Sequence, residues 1–193
     1  MKIFVAGSTG VIGRRISSLL VASGHDVKGM TRTTSKANEL RVLGATPVLC
    51  DVFDRSLLVE VITEFNPDVV INELTDLPDD PILIRKHASF NNRIRTEGTI
   101  NLVDAAVACN AKVIAQSVAW DLPGDGGIAV KFLERTVLAA GGVIIRYGQF
   151  YGPETYFESE PPPSPRVHID FAARRTLDYL FAPSGVVIVV DDA

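Results

Sequence analysis

The segment Lys2-Ile3-Phe4-Val5-Ala6-Gly7-Ser8-Thr9-Gly10-Val11-Ile12-Gly13 decides the fold of this chain. A β-type run leads into three glycines with the spacing G-x-x-G-x-x-G, and apolar residues at helical spacing follow. Gly7 lets the strand turn sharply, Gly10 lets the backbone approach a pyrophosphate, and Gly13 lets the helix pack closely on the sheet. The segment therefore predicts a dinucleotide site formed by Gly7, Ser8, Thr9, Gly10, Val11, Ile12 and Gly13.

Composition limits the classes of protein to consider. The chain has 193 residues, 47% of them hydrophobic, so we expect a single domain over residues 1–193. The net charge is −4 and the basic residues are scattered, which argues against a nucleic-acid partner. No apolar run approaches the length of a membrane span, so we expect no membrane segment and a cytoplasmic location. Cys50 and Cys109 are predicted to be reduced, and no metal site is predicted.

Short β-type runs alternate with helical patterns along the whole chain. After the first strand, six more are predicted at His25–Met30, Thr46–Cys50, Asp68–Asn72, Lys112–Ser117, Gly142–Arg146 and Gly185–Val190. Ser35 and Asp54 are predicted helix caps, and Asp79-Asp80-Pro81 should begin a helix that runs in one or two pieces to about Cys109. This alternation predicts an α/β fold, a Rossmann-type doubly wound parallel sheet of about seven strands.

Several segments, together with the glycine loop, resemble the extended and atypical short-chain dehydrogenase/reductases, the NAD-dependent epimerase/dehydratase group. They are Cys50-Asp51-Val52-Phe53-Asp54, the helix 97–106 with Gly98-Thr99-Ile100-Asn101-Leu102, the strand end Arg146-Tyr147-Gly148-Gln149-Phe150-Tyr151-Gly152-Pro153, and Val167-His168-Ile169-Asp170. The resemblance covers nearly the whole chain. It implies a sheet ordered 3-2-1-4-5-6-7, a cofactor along the carboxyl ends of the strands, and often a homodimer. The short segment between Pro153 and His168 predicts a strongly reduced substrate subdomain.

The end of the second predicted strand bears on which dinucleotide binds. An acidic residue roughly 20 residues beyond the loop is typical of NAD sites, but this chain has Met30-Thr31-Arg32-Thr33 there. Arg32 can pair with a 2′-phosphate, and Ser35 and Lys36 can add donors, so NADP(H) is favoured over NAD(H). The alternative is a solvated basic residue at a helix start. Thr31 and Arg32 are therefore predicted to bind the cofactor.

The resemblance adds further cofactor positions. Asp51 and Val52 are implied to bracket the adenine, although Asp51 could equally be a turn residue. Residues after the fourth and fifth strands are implied to run past the nicotinamide-side ribose. These residues are Asn72, Glu73, Leu74 and Gln116.

Catalysis in the resembled family needs a Tyr four residues before a Lys, and a Ser from the fifth strand. This chain has Ser117 and Lys131, which are the predicted catalytic residues, but Gly127 stands four residues before Lys131. A glycine cannot move a proton. Lys131 could alternatively be a plain surface lysine. A replacement acid could come from Tyr147, Tyr151 or Asp121.

These residues lead to three functional hypotheses. The first is an NADP(H)-binding protein that reduces, dehydrates or epimerises a small carbonyl or hydroxyl compound. Because the tyrosine is missing, a non-catalytic sensor of nicotinamide redox state and an NADPH-dependent flavin or quinone reductase stay open. A Gly127→Tyr substitution is predicted to place a phenol one helical turn from Lys131 and to create weak activity.

Overall fold

Strands and helices alternate along the chain in a computed structural model that describes residues 1–191. The strands are Lys2–Ala6 (β1), Asp26–Thr31 (β2), Thr46–Leu49 (β3), Val69–Asn72 (β4), Lys112–Val118 (β5), Val143–Tyr147 (β6), Gln149–Tyr151 (β7), Arg166–His168 (β8) and Gly185–Val189 (β9). The α-helices are Val11–Ala22 (α1), Thr34–Val42 (α2), Arg55–Phe65 (α3), Ile84–Arg93 (α4), Thr99–Ala108 (α5), Gly124–Ala139 (α6) and Ile169–Leu177 (α7).

Seven of these strands form one parallel sheet in the order β3-β2-β1-β4-β5-β6-β9. The predicted strands and their order are confirmed, with β9 as the seventh. The strand order reverses between β1 and β4, where Ala6 lies beside Asn72. In sheets of this kind the crevice at the carboxyl ends of the strands next to such a reversal is the usual ligand site.

Both faces of the sheet are covered by helices, because side chains alternate between the faces along each strand. Ile3 and Val5 of β1 pack in a core shared with α1, α2 and α7. Phe4 and Ala6 pack in the opposite core with α3, α5 and α6. The sheet interior is therefore apolar on both sides, and polar chemistry is left to the strand ends.

Helix starts follow the predicted caps in two of three cases. Asp54 accepts a hydrogen bond from the Leu57 amide at 3.1 Å, and Asp80 accepts one from the Ile82 amide at 2.9 Å. The prediction for Ser35 was wrong. The cap position is Thr33, and Ser35 lies inside the first turn of α2.

The helical segment after Asp80 extends to Ala108, close to the predicted end, and changes helix type along its length. A 3₁₀ turn at Pro81–Leu83 leads into α4, a π-helical turn at Ile94–Gly98 follows, and α5 continues to Ala108. The π turn lies against α6. It marks a change of helical register on the side of the sheet that carries the predicted catalytic residues.

A small two-stranded sheet of β7 and β8 was not predicted. Residues 152–165 between these strands contain no helix or strand. The segment is tied to the rest of the fold at two points: Glu154 pairs with Arg15 of α1 at 3.1 Å, and the Tyr156 hydroxyl donates to the carbonyl of Pro78. It therefore crosses the molecule between α1 and the loop after β4.

Candidate cofactor site and active site

The glycine loop is built by close backbone contacts that exclude side chains. Gly7 has φ +83°, and a Cβ on it would lie 2.6 Å from the carbonyl oxygen of Glu73. A Cβ on Gly13 would lie 2.9 Å from the carbonyl carbon of Gly7 and still closer to its oxygen. Glycine is therefore required at both positions for β1, β4 and α1 to meet.

Gly10 has a different reason to be glycine. It is exposed, and the nearest atom to a Cβ there would be the Gly7 carbonyl oxygen at 3.3 Å. Gly10 occupies the N-cap position of α1, and no side chain caps this helix. The uncapped helix N-terminus beside an open glycine fits a pyrophosphate, because its backbone amides and dipole favour an anion.

The remaining loop residues divide into core and surface positions. The Ser8 side chain is fully buried, and its hydroxyl donates to the Met30 carbonyl of β2 at 2.9 Å. Ile12 is also buried, whereas Thr9 and Val11 are partly exposed. Ser8 thus ties the loop to β2.

The end of β2 carries an ion pair that the sequence did not reveal. Nη2 of Arg32 lies 3.3 Å from Oδ1 of Asp76, and the Arg32 side chain is 56% exposed. The amide of Asp76 donates to Oδ1 of buried Asn91 on α4 at 3.1 Å. Asp76 is therefore fixed in place, and a carboxylate stands beside the arginine that was predicted to bind a 2′-phosphate. Thr31, just before it, is buried.

The acidic turn after β3 is held by the helix that resembles the family's G-T-x-N-L segment. The carboxylate of Asp51 accepts from the Phe53 amide at 2.9 Å, so it forms an Asx-type turn. The side-chain amide of Asn101 donates to the Val52 carbonyl at 2.9 Å, and a Cβ on Gly98 would lie 3.2 Å from Val52. Asp51 is a turn residue, and its role towards adenine stays a prediction.

Side-chain amides from β4 and β5 hold the segment that follows β4. Oδ1 of Asn72 accepts from the Leu74 amide at 3.1 Å, and Nε2 of Gln116 donates to the Leu74 carbonyl at 3.2 Å. The fold therefore brings these predicted positions together at the carboxyl edge of the sheet.

Glu73 lies inside the apolar core. Its Oε1 lies 3.5 Å from the Tyr147 hydroxyl, and within residues 1–191 its Oε2 has no hydrogen-bond partner. Burial raises the pKa of Glu73 to about 8, while the hydrogen bond from Tyr147 opposes the rise. The Tyr147 hydroxyl also lies 2.6 Å from Thr176 Oγ1, and burial raises its pKa well above the usual value. The Glu73 side chain therefore belongs to the core, and only its backbone borders the glycine loop.

Ser117 is held in a cluster that the sequence reading missed. Its hydroxyl donates to Oε1 of Glu134 on α6 at 2.6 Å. Arg146 of β6 donates from Nε and Nη2 to the same carboxylate at 2.8 and 2.6 Å. Burial acts to raise the pKa of Glu134, but these hydrogen bonds outweigh it and hold the pKa below the usual value. Residues from α6 and β6 could be paired only by the fold, since no sequence signal links them.

Lys131 and Gly127 lie on α6. Lys131 is exposed, and no residue in the described part of the chain forms a hydrogen bond or ion pair with its ammonium group. Gly127 is buried, and a Cβ there would collide with the carbonyl oxygen of Leu122. The structure argues against the predicted Gly127→Tyr rescue, because the loop before α6 occupies the space of any side chain at this position.

The three candidate replacement acids differ in access. Tyr147 is buried in the core, so its hydroxyl is closed to a substrate at the strand ends. Tyr151 is partly exposed, and a hydrogen bond to the Asp191 carboxylate raises the pKa of the Tyr151 hydroxyl. Asp121 is exposed in the loop after β5. Tyr151 and Asp121 therefore stay candidates for the replacement acid, because solvent reaches both, whereas burial excludes Tyr147.

Residues 1–191 contain neither a membrane-spanning helix nor a metal-binding cluster. No helix in this range is long and apolar enough to cross a membrane. Within the same range, no three His, Cys, Asp or Glu side chains are grouped so that they could hold a metal ion.

These features define a dinucleotide-binding α/β protein. The model of the NAD dependent epimerase/dehydratase family matches residues 3–136. The chain therefore belongs to the NAD-dependent epimerase/dehydratase family.

The relatives agree with this assignment. The chain is 35% identical over 183 residues to a 3-diazoavenalumate denitrifying reductase from a Streptomyces species, and the match covers 80% of this chain. The chain spans 58% of the length of that reductase. The fold is similar to UDP-glucose 4-epimerases of Thermus thermophilus, solved with NAD, and Thermotoga maritima, solved with UDP-glucose. The TM-scores are 0.81 and 0.79, and the sequence identities are 17% and 16%, respectively. In both comparisons the match covers 98% of this chain, and it covers 78% and 77% of the two epimerase chains.

Proposed function

We propose that this chain is a nicotinamide-dinucleotide-dependent reductase that passes a hydride to a small electrophile without a tyrosine acid. One juxtaposition carries the proposal. The glycine loop that fits a dinucleotide is intact, whereas position 127 on α6 has no room for a side chain. The chain thus keeps the cofactor half of the family site and lacks the usual proton donor.

The cofactor contacts follow from the groups at the carboxyl edge. The N-terminus of α1 and Gly10 hold the pyrophosphate, and exposed Arg32 takes the 2′-phosphate, so NADP(H) is favoured over NAD(H). Asp51 and Val52 border the adenine. The remaining contacts come from backbone and amide groups at the strand ends, contributed by Thr31, Asn72, Glu73, Leu74 and Gln116.

The substrate side is formed around α6. Lys131 is exposed and free to reach a ribose hydroxyl, and Ser117 orients the substrate from the end of β5. Glu134 accepts the hydrogen bond from the Ser117 hydroxyl. The Ser117 oxygen therefore keeps its lone pairs free to accept a hydrogen bond from the substrate. These are the proposed catalytic residues.

The proposed class of hydride acceptor follows from the lack of a tyrosine proton donor at position 127. When bound, the reduced nicotinamide supplies a hydride, and acceptors that fit this site take it without a proton from the protein. Flavins and quinones are such acceptors. A diazonium group is another: the hydride forms a C–H bond, the C–N bond breaks and N₂ leaves, which balances charge. The diazo compound in the name of the Streptomyces reductase supports this class.

The test is a titration followed by turnover. The protein is titrated with NADPH, NADP⁺, NADH and NAD⁺, and oxidation of NADPH is followed with a quinone, a flavin, an aryl diazonium salt and a simple ketone. We expect NADPH binding and oxidation by one of the first three acceptors, with the ketone inert. A Gly10→Val protein controls for direct reaction between NADPH and the acceptor. Absence of NADPH and NADH binding would overturn the proposal.

Two variants test the proposed catalytic residues. Ser117→Ala should slow hydride transfer, and Lys131→Ala should weaken NADPH binding, each by about tenfold. If both values are unchanged, neither residue is catalytic. If the parent binds NADPH but no acceptor oxidises it, the non-catalytic sensor is favoured.

A further inference from the structure

Arg95 lies in the π-helical turn Ile94–Gly98 between α4 and α5. The turn packs against α6, the helix that carries Lys131 and Glu134. Single π turns inside helices are found frequently at functional sites, because they re-aim side chains. Arg95 is therefore placed beside the substrate half of the proposed site.

Asn91, in the last turns of α4, indicates the orientation of the helix face that carries Arg95. Asn91 is buried, and its Oδ1 accepts from the Asp76 amide in the loop after β4. Arg95 follows Asn91 by about one turn, so the two share a helix face. That face borders the carboxyl edge of the sheet between the loop after β4 and α6.

Arg95 is partly buried, and no group within residues 1–191 forms a hydrogen bond or ion pair with its guanidinium. Burial lowers the pKa of Arg95, and no nearby carboxylate offsets this effect. The neighbouring Arg93 is exposed and donates to Glu97 at 2.7 and 3.0 Å. Desolvating a cation without a counter-charge is costly, so such a group is suited to an anionic ligand.

We propose that Arg95 binds a carboxylate of the substrate, so that the electrophile is a small organic acid. This inference rests on the proposed reductase function. A guanidinium presents parallel N–H donors that match both oxygens of a carboxylate. Arg95 thus holds the acid group while the electrophilic end faces the nicotinamide side.

Equilibrium binding of benzoate and benzamide tests the proposal without turnover, because the two share a ring and differ in charge. We expect the parent to bind benzoate about tenfold or more tightly than benzamide, and Arg95→Gln to remove the difference. Arg93→Gln, the matched control, should keep it. Equal binding of the two compounds by the parent, or an unchanged preference in Arg95→Gln, would refute the proposal.

Two measurements separate this proposal from other failures. A loss of NADPH affinity in Arg95→Gln would assign Arg95 to the cofactor and overturn the proposal. Arg93→Gln, which lies outside the proposed site, should leave NADPH affinity and hydride transfer to an uncharged quinone unchanged. If Arg95→Gln does not fold, Arg95→Lys is used. It should keep part of the benzoate preference, and full retention of the parent's benzoate affinity would contradict the two-pronged contact.

Discussion

Glu73 and Tyr147 meet in the core directly beneath the glycine loop, with the tyrosine hydroxyl 3.5 Å from Oε1 of the carboxyl group. The Tyr147 hydroxyl also lies 2.6 Å from Thr176 Oγ1, and the Thr176 hydroxyl donates to the Ala172 carbonyl at 2.9 Å. Tyr147 has only one proton to donate, so its long hydrogen bond to Glu73 compensates little for the burial of that carboxyl group.

This arrangement predicts that the protein loses stability as pH rises. The pKa of folded Glu73 is about 8, above its usual value of 4.5, so the folded state binds more protons than the unfolded state between these values. Stability from this group is complete below 4.5 and is lost as pH rises through about 8. Urea unfolding from pH 5 to 9 should show a loss of a few kcal/mol in the parent and a flatter profile in Glu73→Gln, on the order expected from the shift. Parallel profiles would show that Glu73 is already ionised at neutral pH.

Two loop glycines should separate folding from binding. Gly10→Val should abolish dinucleotide binding at a small cost in thermal stability, because the position is exposed, its φ of −75° suits valine, and the nearest atom to its Cβ is the Gly7 carbonyl oxygen at 3.3 Å. Gly13→Ala should destabilise the fold by about 1–3 kcal/mol or more, because its Cβ would strike the Gly7 carbonyl. Thermal melts and NADPH titrations of both variants check this. Undiminished binding by Gly10→Val would show that the site lies elsewhere.

Arg32 and Asp76 should set the cofactor preference in opposite directions. Arg32→Asp should narrow or reverse the proposed preference for NADP(H), because it would remove a charge-assisted contact worth about 1.5–3 kcal/mol. Asp76→Asn should tighten NADP(H) binding, because the carboxylate 3.3 Å from Arg32 repels a 2′-phosphate. Dissociation constants for all four nucleotides decide the matter. Equal constants for NAD and NADP in the parent would contradict the role given to Arg32.

Gly126 and Gly127 of α6 allow a matched test of whether a side chain can be accommodated at position 127, where the resembled family has its tyrosine. Gly127→Tyr should destabilise the protein and create no alcohol dehydrogenase activity, because the Leu122 carbonyl fills the space. Gly126→Ala should be tolerated and can stabilise α6 by up to about 1 kcal/mol, since the nearest atom to its Cβ is 3.9 Å away. Melting temperatures of the two variants give the comparison. A stable Gly127→Tyr protein with dehydrogenase activity would show that the loop moves.

The glycine loop could be located from sequence because its constraints are local. Gly7 and Gly13 follow a β-type run and begin a helical pattern, and each meets backbone atoms in the structure as the spacing predicts. The strand order came from the resemblance to the family, because the alternation of strands and helices predicts a parallel sheet but does not say which strands are neighbours. The cap at Asp54 also depends only on neighbours in the chain.

The contacts that give the site its chemistry join residues far apart in sequence, and only the tertiary structure decided them. Ser117 and Lys131 were found as a pattern, but the engagement of Ser117 by Glu134 and Arg146 depends on how α6 lies against β5 and β6. The pairing of Arg32 with Asp76 depends on the loop after β4. By itself the sequence determined the α/β class and the position of the glycine loop, because periodicity and backbone geometry act over a few residues. Only tertiary packing determined which charged side chains meet at the strand ends, because it brings segments that are distant in sequence within hydrogen-bond distance.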